Sequence, residues 1–170
     1  MDERFDELTT LLGRIEDLRA AAAVLEWDQE TYMPDGAAEA RAHQIGTLRT
    51  MAHELFAEDD IGARLDVLSD DVADLDPRSD EVSLVRVTRR DYDKARRVPA
   101  DLVGAIAAAV ARGKQAWRKA RAEDDFSLFA PHLDRLIDLN IEKAEALGYE
   151  DRIYDALLDQ YEPGMTTAEV

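Results

Sequence analysis

The residues best suited to chemistry are few, and their spacing is wrong for each site they suggest. Only three histidines are present, His43, His53 and His132, and there is no cysteine. A zinc site needs histidine, cysteine or carboxylate ligands at spacings that converge on one point. His53-Glu54 begins like the zinc-helix motif His-Glu-x-x-His, but Ala57 stands where the second ligand belongs. Glu39 and His43 are four residues apart, whereas di-metal sites in helical bundles use Glu-x-x-His. Asp70, Asp71, Asp74, Asp76 and Asp80 lack the central glycine and closing glutamate of a calcium loop, so they read as a solvated acidic loop. No glycine-rich phosphate loop or Gly-x-Ser-x-Gly elbow occurs. No catalytic and no metal-binding residue can be assigned within these 170 positions.

Two clusters remain after these exclusions. Trp27, Asp28, Met33 and Pro34 lie where one amphipathic stretch gives way to the next. They read as an interhelical clasp, with Trp27 and Met33 packed and Asp28 capping a helix end. The functional alternative is that this turn borders a cleft. Asp155, Asp159 and Glu162 recur at steps of four and three, which puts them on one helical face. Three like charges there repel unless paired, and pairing with arginine is preferred over lining a cleft.

The elements that must position these residues are helices. Phe5, Leu8, Leu12, Ile15, Leu18, Ala22 and Leu25 recur at three and four, predicting a first helix over about 2–26. It is expected to break across Trp27–Gly36, where Pro34 and Gly36 punctuate the chain. A second helix carries Arg41, Ile45, Leu48, Met51, Ala52 and Leu55, and a short third covers about 61–72. Pro77 suits the first turn of a fourth, over about 79–97, and Pro99 opens a fifth reaching about residue 123. The sixth spans about 130–147, with Pro131 in its first turn and Gly148 just past its end. A short seventh covers about 153–160, stopped by Pro163-Gly164. The fold class is all-α, six to seven antiparallel helices in a single region over 1–170 with no internal boundary. Thr166-Thr167-Ala168-Glu169 has capping-box spacing, which belongs just before a further helix, so the chain is expected to be the first part of a longer one.

Composition narrows the partners. The net charge of −17 opposes nucleic acid and anionic membranes alike, and no apolar run approaches the length of a membrane span. With 46% apolar residues the chain can still bury a core. Carboxylates are spread along every segment, and lysine occurs only at 94, 114, 119 and 143. Dispersed carboxylates keep a protein hydrated at high salt, which points to a halophilic source. The start Met1-Asp2-Glu3-Arg4 lacks the basic and apolar regions of a signal peptide, and a cytoplasmic location is expected.

Three stretches resemble the N-terminal third of the carboxypeptidase Taq family of metallopeptidases. The first is Leu25-Glu26-Trp27-Asp28-Gln29-Glu30-Thr31-Tyr32-Met33-Pro34, followed by Arg41 and Gln44. The second is Trp117 to Ala122, then Asp125-Phe126 and Phe129-Ala130-Pro131-His132-Leu133. The third runs from Tyr154 through Asp155, Asp159, Glu162, Pro163 and Gly164 to Thr166. The resemblance implies removal of single residues from peptide C-termini with broad specificity. It implies zinc or a similar divalent metal, a homodimer, and a His-Glu-x-x-His helix placed after residue 170. This chain alone is then expected to be inactive and to bind no metal. The alternative is a free-standing helical interaction module without enzymatic activity. On the first reading a fragment leaves an apolar strip on its surface, and Leu11 and Val24, which flank the main stripe of helix one, and Ala105–Ala111, which has no obvious partner, are where it is expected.

Overall fold

The computed structural model describes residues 2–170, with side chains from Glu3 onward. Among these residues there are seven α-helices and no strand: α1 (Asp2–Thr31), α2 (Ala38–Ala57), α3 (Asp59–Asp71), α4 (Asp80–Ala95), α5 (Ala100–Glu123), α6 (Ala130–Leu147) and α7 (Ile153–Leu158). Short 3-10 turns at Asp35–Ala37 and Phe126–Leu128 precede α2 and α6.

The first helix is longer than its periodicity predicts. It continues through Trp27 and Asp28 to Thr31, because nothing between Trp27 and Thr31 breaks a helix. The stop comes from Pro34, which disfavours helical geometry at the residue before it. Pro77 also differs from expectation: it sits in the turn before α4, where the Ser79 amide donates to the Asp76 carbonyl at 2.9 Å. Ser79 is the cap of α4, its Oγ accepting from the Val82 amide at 3.3 Å. Gly148 ends α6 at φ 78°, a conformation that costs glycine little.

Leu8, Ile15, Ile61, Leu65 and Leu68 are fully buried where α1 to α4 meet. Each such side chain stabilises the fold by about 1.5–3 kcal/mol relative to exposure. A second cluster, around Leu102, Leu139, Ala144 and Leu147, joins α5, α6 and α7. Between them α2 packs along both α1 and α5. The alanine-rich stretch of α5 therefore has its partner inside this chain, contrary to expectation. Gly46 on α2 and Gly104 on α5 let the two backbones approach: a Cβ built on Gly46 would lie 3.3 Å from the Gly104 carbonyl oxygen.

Candidate functional site

The last turns of α1 are held from both sides. From α2, the Arg41 guanidinium donates to the Leu25 carbonyl at 2.7 Å and pairs with the Asp28 carboxylate at 2.7 Å. From α5, the Arg118 guanidinium donates to the Gln29 carbonyl at 2.9 Å and pairs with Glu30, which Lys114 also reaches at 3.1 Å. Those two cations hold the Glu30 carboxyl below its usual range, against the opposing effect of desolvation. Gln29 is 2% exposed, and its amide donates to the Ala111 carbonyl at 2.7 Å. Helix ends leave carbonyls without intrahelical partners, and Arg118 supplies a donor to one of them at Gln29.

The contacts made by Trp27, Asp28, Met33 and Pro34 differ from the sequence reading. Asp28 secures α1 by pairing with Arg41 rather than by capping with its side chain; its main-chain carbonyl accepts from the Tyr32 and Met33 amides. Trp27 is not packed inside. It is 59% exposed and stands edge-on to Tyr32, ring centroids 5.8 Å apart. Met33 is half-buried and Pro34 exposed. Gln29, Arg41 and Arg118 are the structural centre of the clasp; Gln29 and Arg118 carried no spacing signal, because their partners lie more than eighty residues away.

Beside the clasp, Ile45, Ile106, Ala107 and Val110 line a mostly apolar cavity of about 240 Å³ with Glu26, Gln29 and Arg49 at its polar edge. Glu26 and Arg49 bridge α1 to α2 at 2.9 Å.

The second cluster folds the last residues back onto α7. Asp155 accepts from the Thr167 amide at 2.6 Å and from the Thr167 hydroxyl, and from the Arg152 amide at 3.3 Å. Asp159 pairs with Lys94 of α4 and accepts from the Gly164 amide at 2.7 Å. Gly164 meets that carboxylate at φ 84°, which a side chain would resist. On this face Lys94 and main-chain donors meet the carboxylates directly, while the Arg90 and Arg152 guanidinium groups act on Asp159 and Asp155 only through their field. Hydrogen bonds from Thr167 hold the Asp155 carboxyl below the ordinary aspartate range, and the Lys94 bond does the same for Asp159. Glu162 lies beyond the end of α7 and is exposed, so it does not join the pair; Pro163 and Gly164 form the turn that follows. Thr166 and Glu169 close half of a capping box, the Glu169 carboxylate accepting from the Thr166 amide at 2.8 Å.

The described residues do not fit a divalent metal. Among the described residues no group of three or more histidines, aspartates or glutamates could hold one. His43 is turned to Glu39 at 3.2 Å, the His53 ring faces the Val98 carbonyl at 2.7 Å, and His132 lies in the first turn of α6. Among the described residues no helix is long and apolar enough to cross a membrane.

The chain is similar to known metallopeptidases over almost its whole length. It is 33% identical to carboxypeptidase 1 of Bacillus subtilis over 160 residues, covering 94% of this chain and 32% of that protein. It is 36% identical to thermostable carboxypeptidase 1 of Thermus thermophilus, covering 90% and 32%. In three dimensions it superimposes on a solved structure described as BsuCP with a TM-score of 0.92 at 32% identity, and on a Pyrococcus furiosus carboxypeptidase (Apo-Mg) with 0.73 at 33%. It spans 98% and 99% of itself in these pairs but 33% of each partner, so it corresponds to about a third of the relatives' length. The family profile described as carboxypeptidase Taq (M32) metallopeptidase matches residues 7–170, and the chain belongs to that family.

Proposed function

We propose that this chain is the N-terminal helical layer of a metal-dependent carboxypeptidase that releases single amino acids from peptide C-termini. The observation that carries this reading is the collinear match of residues 7–170 to the family, at about a third of the relatives' length. The divalent metal, zinc by preference, belongs to residues outside this chain, where it would polarise the scissile carbonyl and activate water. The part played by the present residues is mechanical. Gln29, Arg41 and Arg118 lock α1, α2 and α5 into one rigid wall. Asp155 and Asp159 fix the segment that leads toward whatever follows Val170. Trp27 and Tyr32, exposed at the end of α1, are available to contact the remainder of the enzyme or its peptide.

On this reading the chain by itself is inactive, and the complete protein is a cytoplasmic homodimer adapted to high salt. The reading frame beyond Val170 supplies the first test. A downstream His-Glu-x-x-His followed by a further glutamate is expected; a stop codon directly after Val170 would oppose the proposal.

A further inference from the structure

For a chain with a net charge of −17, one cavity is unusual in its sign. Arg19 of α1, Arg49 of α2, Arg90 and Lys94 of α4 and Lys143 of α6 all line a hollow of about 450 Å³, with Asp91 as its one acidic wall residue. The wall carries a formal charge of five positive less one negative. Its floor includes the buried Phe56 and Val98, so charges facing it lose part of their water. The Arg19 guanidinium lies over the Phe56 ring, 5.2 Å from its centroid.

The cations are not alike. Arg19, Arg49, Arg90 and Lys94 each meet a carboxylate, from Glu16, Glu26, Asp91 and Asp159 respectively. Lys143 instead donates to the neutral amide oxygen of Gln160 at 2.6 Å. Burial pushes its ammonium group below the usual lysine range, so the protein supplies less compensation to this charge than to the others. Among the described residues Lys143 is thus the wall cation that meets no carboxylate, and a half-buried ammonium so placed can take an anion from outside, in the way that lysine serves as a point-charge partner for phosphate.

We propose that this cavity binds a small oxyanion of phosphate type, with Lys143 as its central ligand and Lys94 and Arg90 at its margin. The anion would tie α6, whose core residues belong to the second cluster, to α1, α2 and α4, which share the first. The proposal does not depend on the carboxypeptidase reading.

The test uses the 170-residue chain titrated with inorganic phosphate at constant ionic strength set by potassium chloride. The Ala95 and Val98 amide resonances, on the cavity wall, report binding in the parent and in every variant. A saturable shift is expected. Lys143→Met should weaken binding by about tenfold or more, the scale set by losing a charge-assisted hydrogen bond. Gln160→Glu should weaken it comparably by giving Lys143 an internal carboxylate; this variant keeps both side chains and guards against a Lys143→Met chain that fails to fold. Arg135→Gln, on the exposed face of α6, should leave binding unchanged. A shift linear in phosphate, or saturation equally tight in Lys143→Met and Gln160→Glu, would overturn the proposal.

Discussion

Gln29 and Arg41 satisfy main-chain carbonyls on other helices or turns, and each does so where water is largely excluded. Replacing Gln29 by leucine removes a second donor from the Ala111 carbonyl, which keeps its helix partner, and replacing Arg41 by methionine leaves Asp28 unpaired. The expected loss is about 0.5–1.5 kcal/mol for Gln29→Leu, the net worth of a hydrogen bond, and about 1–3 kcal/mol for Arg41→Met, where a partner is abandoned. A fall in the urea midpoint at unchanged m would register it; Gln29→Leu as stable as the parent would show that the bond to Ala111 contributes nothing net.

Asp155 offers a second residue-scale test, through pH. Its carboxyl sits below the ordinary value of 3.8 because Thr167 donates to it. A carboxylate depressed in the folded state contributes stability above its unfolded pKa and loses it as pH falls through the folded one. The Thr167 amide resonance should therefore titrate with a midpoint below 3.8. Asp155→Asn should abolish that titration. A midpoint at or above the ordinary value would mean that the bonds to Thr167 do not hold in solution.

At the scale of the elements, helix packing turns on close approach at particular glycines. Gly62 on α3 faces Tyr92 of α4, and a Cβ there would lie 2.4 Å from the phenolic oxygen. Tyr92 cannot easily yield: it is buried, meets Phe56 edge-on and accepts from Arg96 at 2.9 Å. Gly62→Ala gains up to about 1 kcal/mol of helix propensity, but overpacking of this kind costs about 1–3 kcal/mol. Net destabilisation is expected. Gly13 on α1 has nothing within 4 Å, so Gly13→Ala should stabilise by about 0.5–1 kcal/mol. Thermal melts of the two variants check the contrast; equal shifts in one direction would undermine the packing described between α3 and α4.

Most helices could be read from the sequence because apolar spacing and breakers coincide. α6 begins and ends at Ala130 and Leu147 as read, since Pro131 and Gly148 mark both ends chemically. The end of α1 was read too early because the Trp27–Thr31 stretch is polar and aromatic, although only Pro34 carries a physical stop. The 3-10 turn at Phe126–Leu128 rests on the Asp125 carboxylate accepting from the Ser127 amide at 2.9 Å, a local bond with no periodicity to announce it. Lines of alanine on α5 show that a helix can be approached closely without showing by what. The clasp was legible in outline at Trp27–Pro34, while Gln29 and Arg118 emerge only when α5 is laid against α1.

Across the whole molecule the carboxylates dominate. Seventeen net negative charges on 170 residues repel in the folded state, and salt screens that repulsion. The melting temperature should rise between low salt and molar potassium chloride, and a fall would oppose adaptation to high salt. The surface also carries apolar side chains in a group: Ile137, Ile141 and Tyr154 are exposed around an open groove of about 310 Å³ on α6 and α7. If these residues join a patch above roughly 400 Å², the isolated chain should self-associate with rising concentration in light scattering. A strictly monomeric chain would point to a surface complete in itself.

The central claim, that these helices are the first layer of a carboxypeptidase, is tested most directly by an activity comparison. The 170-residue chain and the same chain extended through its downstream reading frame are each supplied with zinc and an N-blocked dipeptide, and the released C-terminal amino acid is measured. Release by the extended protein and none by the chain alone is the expected result. Release by the 170 residues alone, or none by the extended protein, would contradict the account.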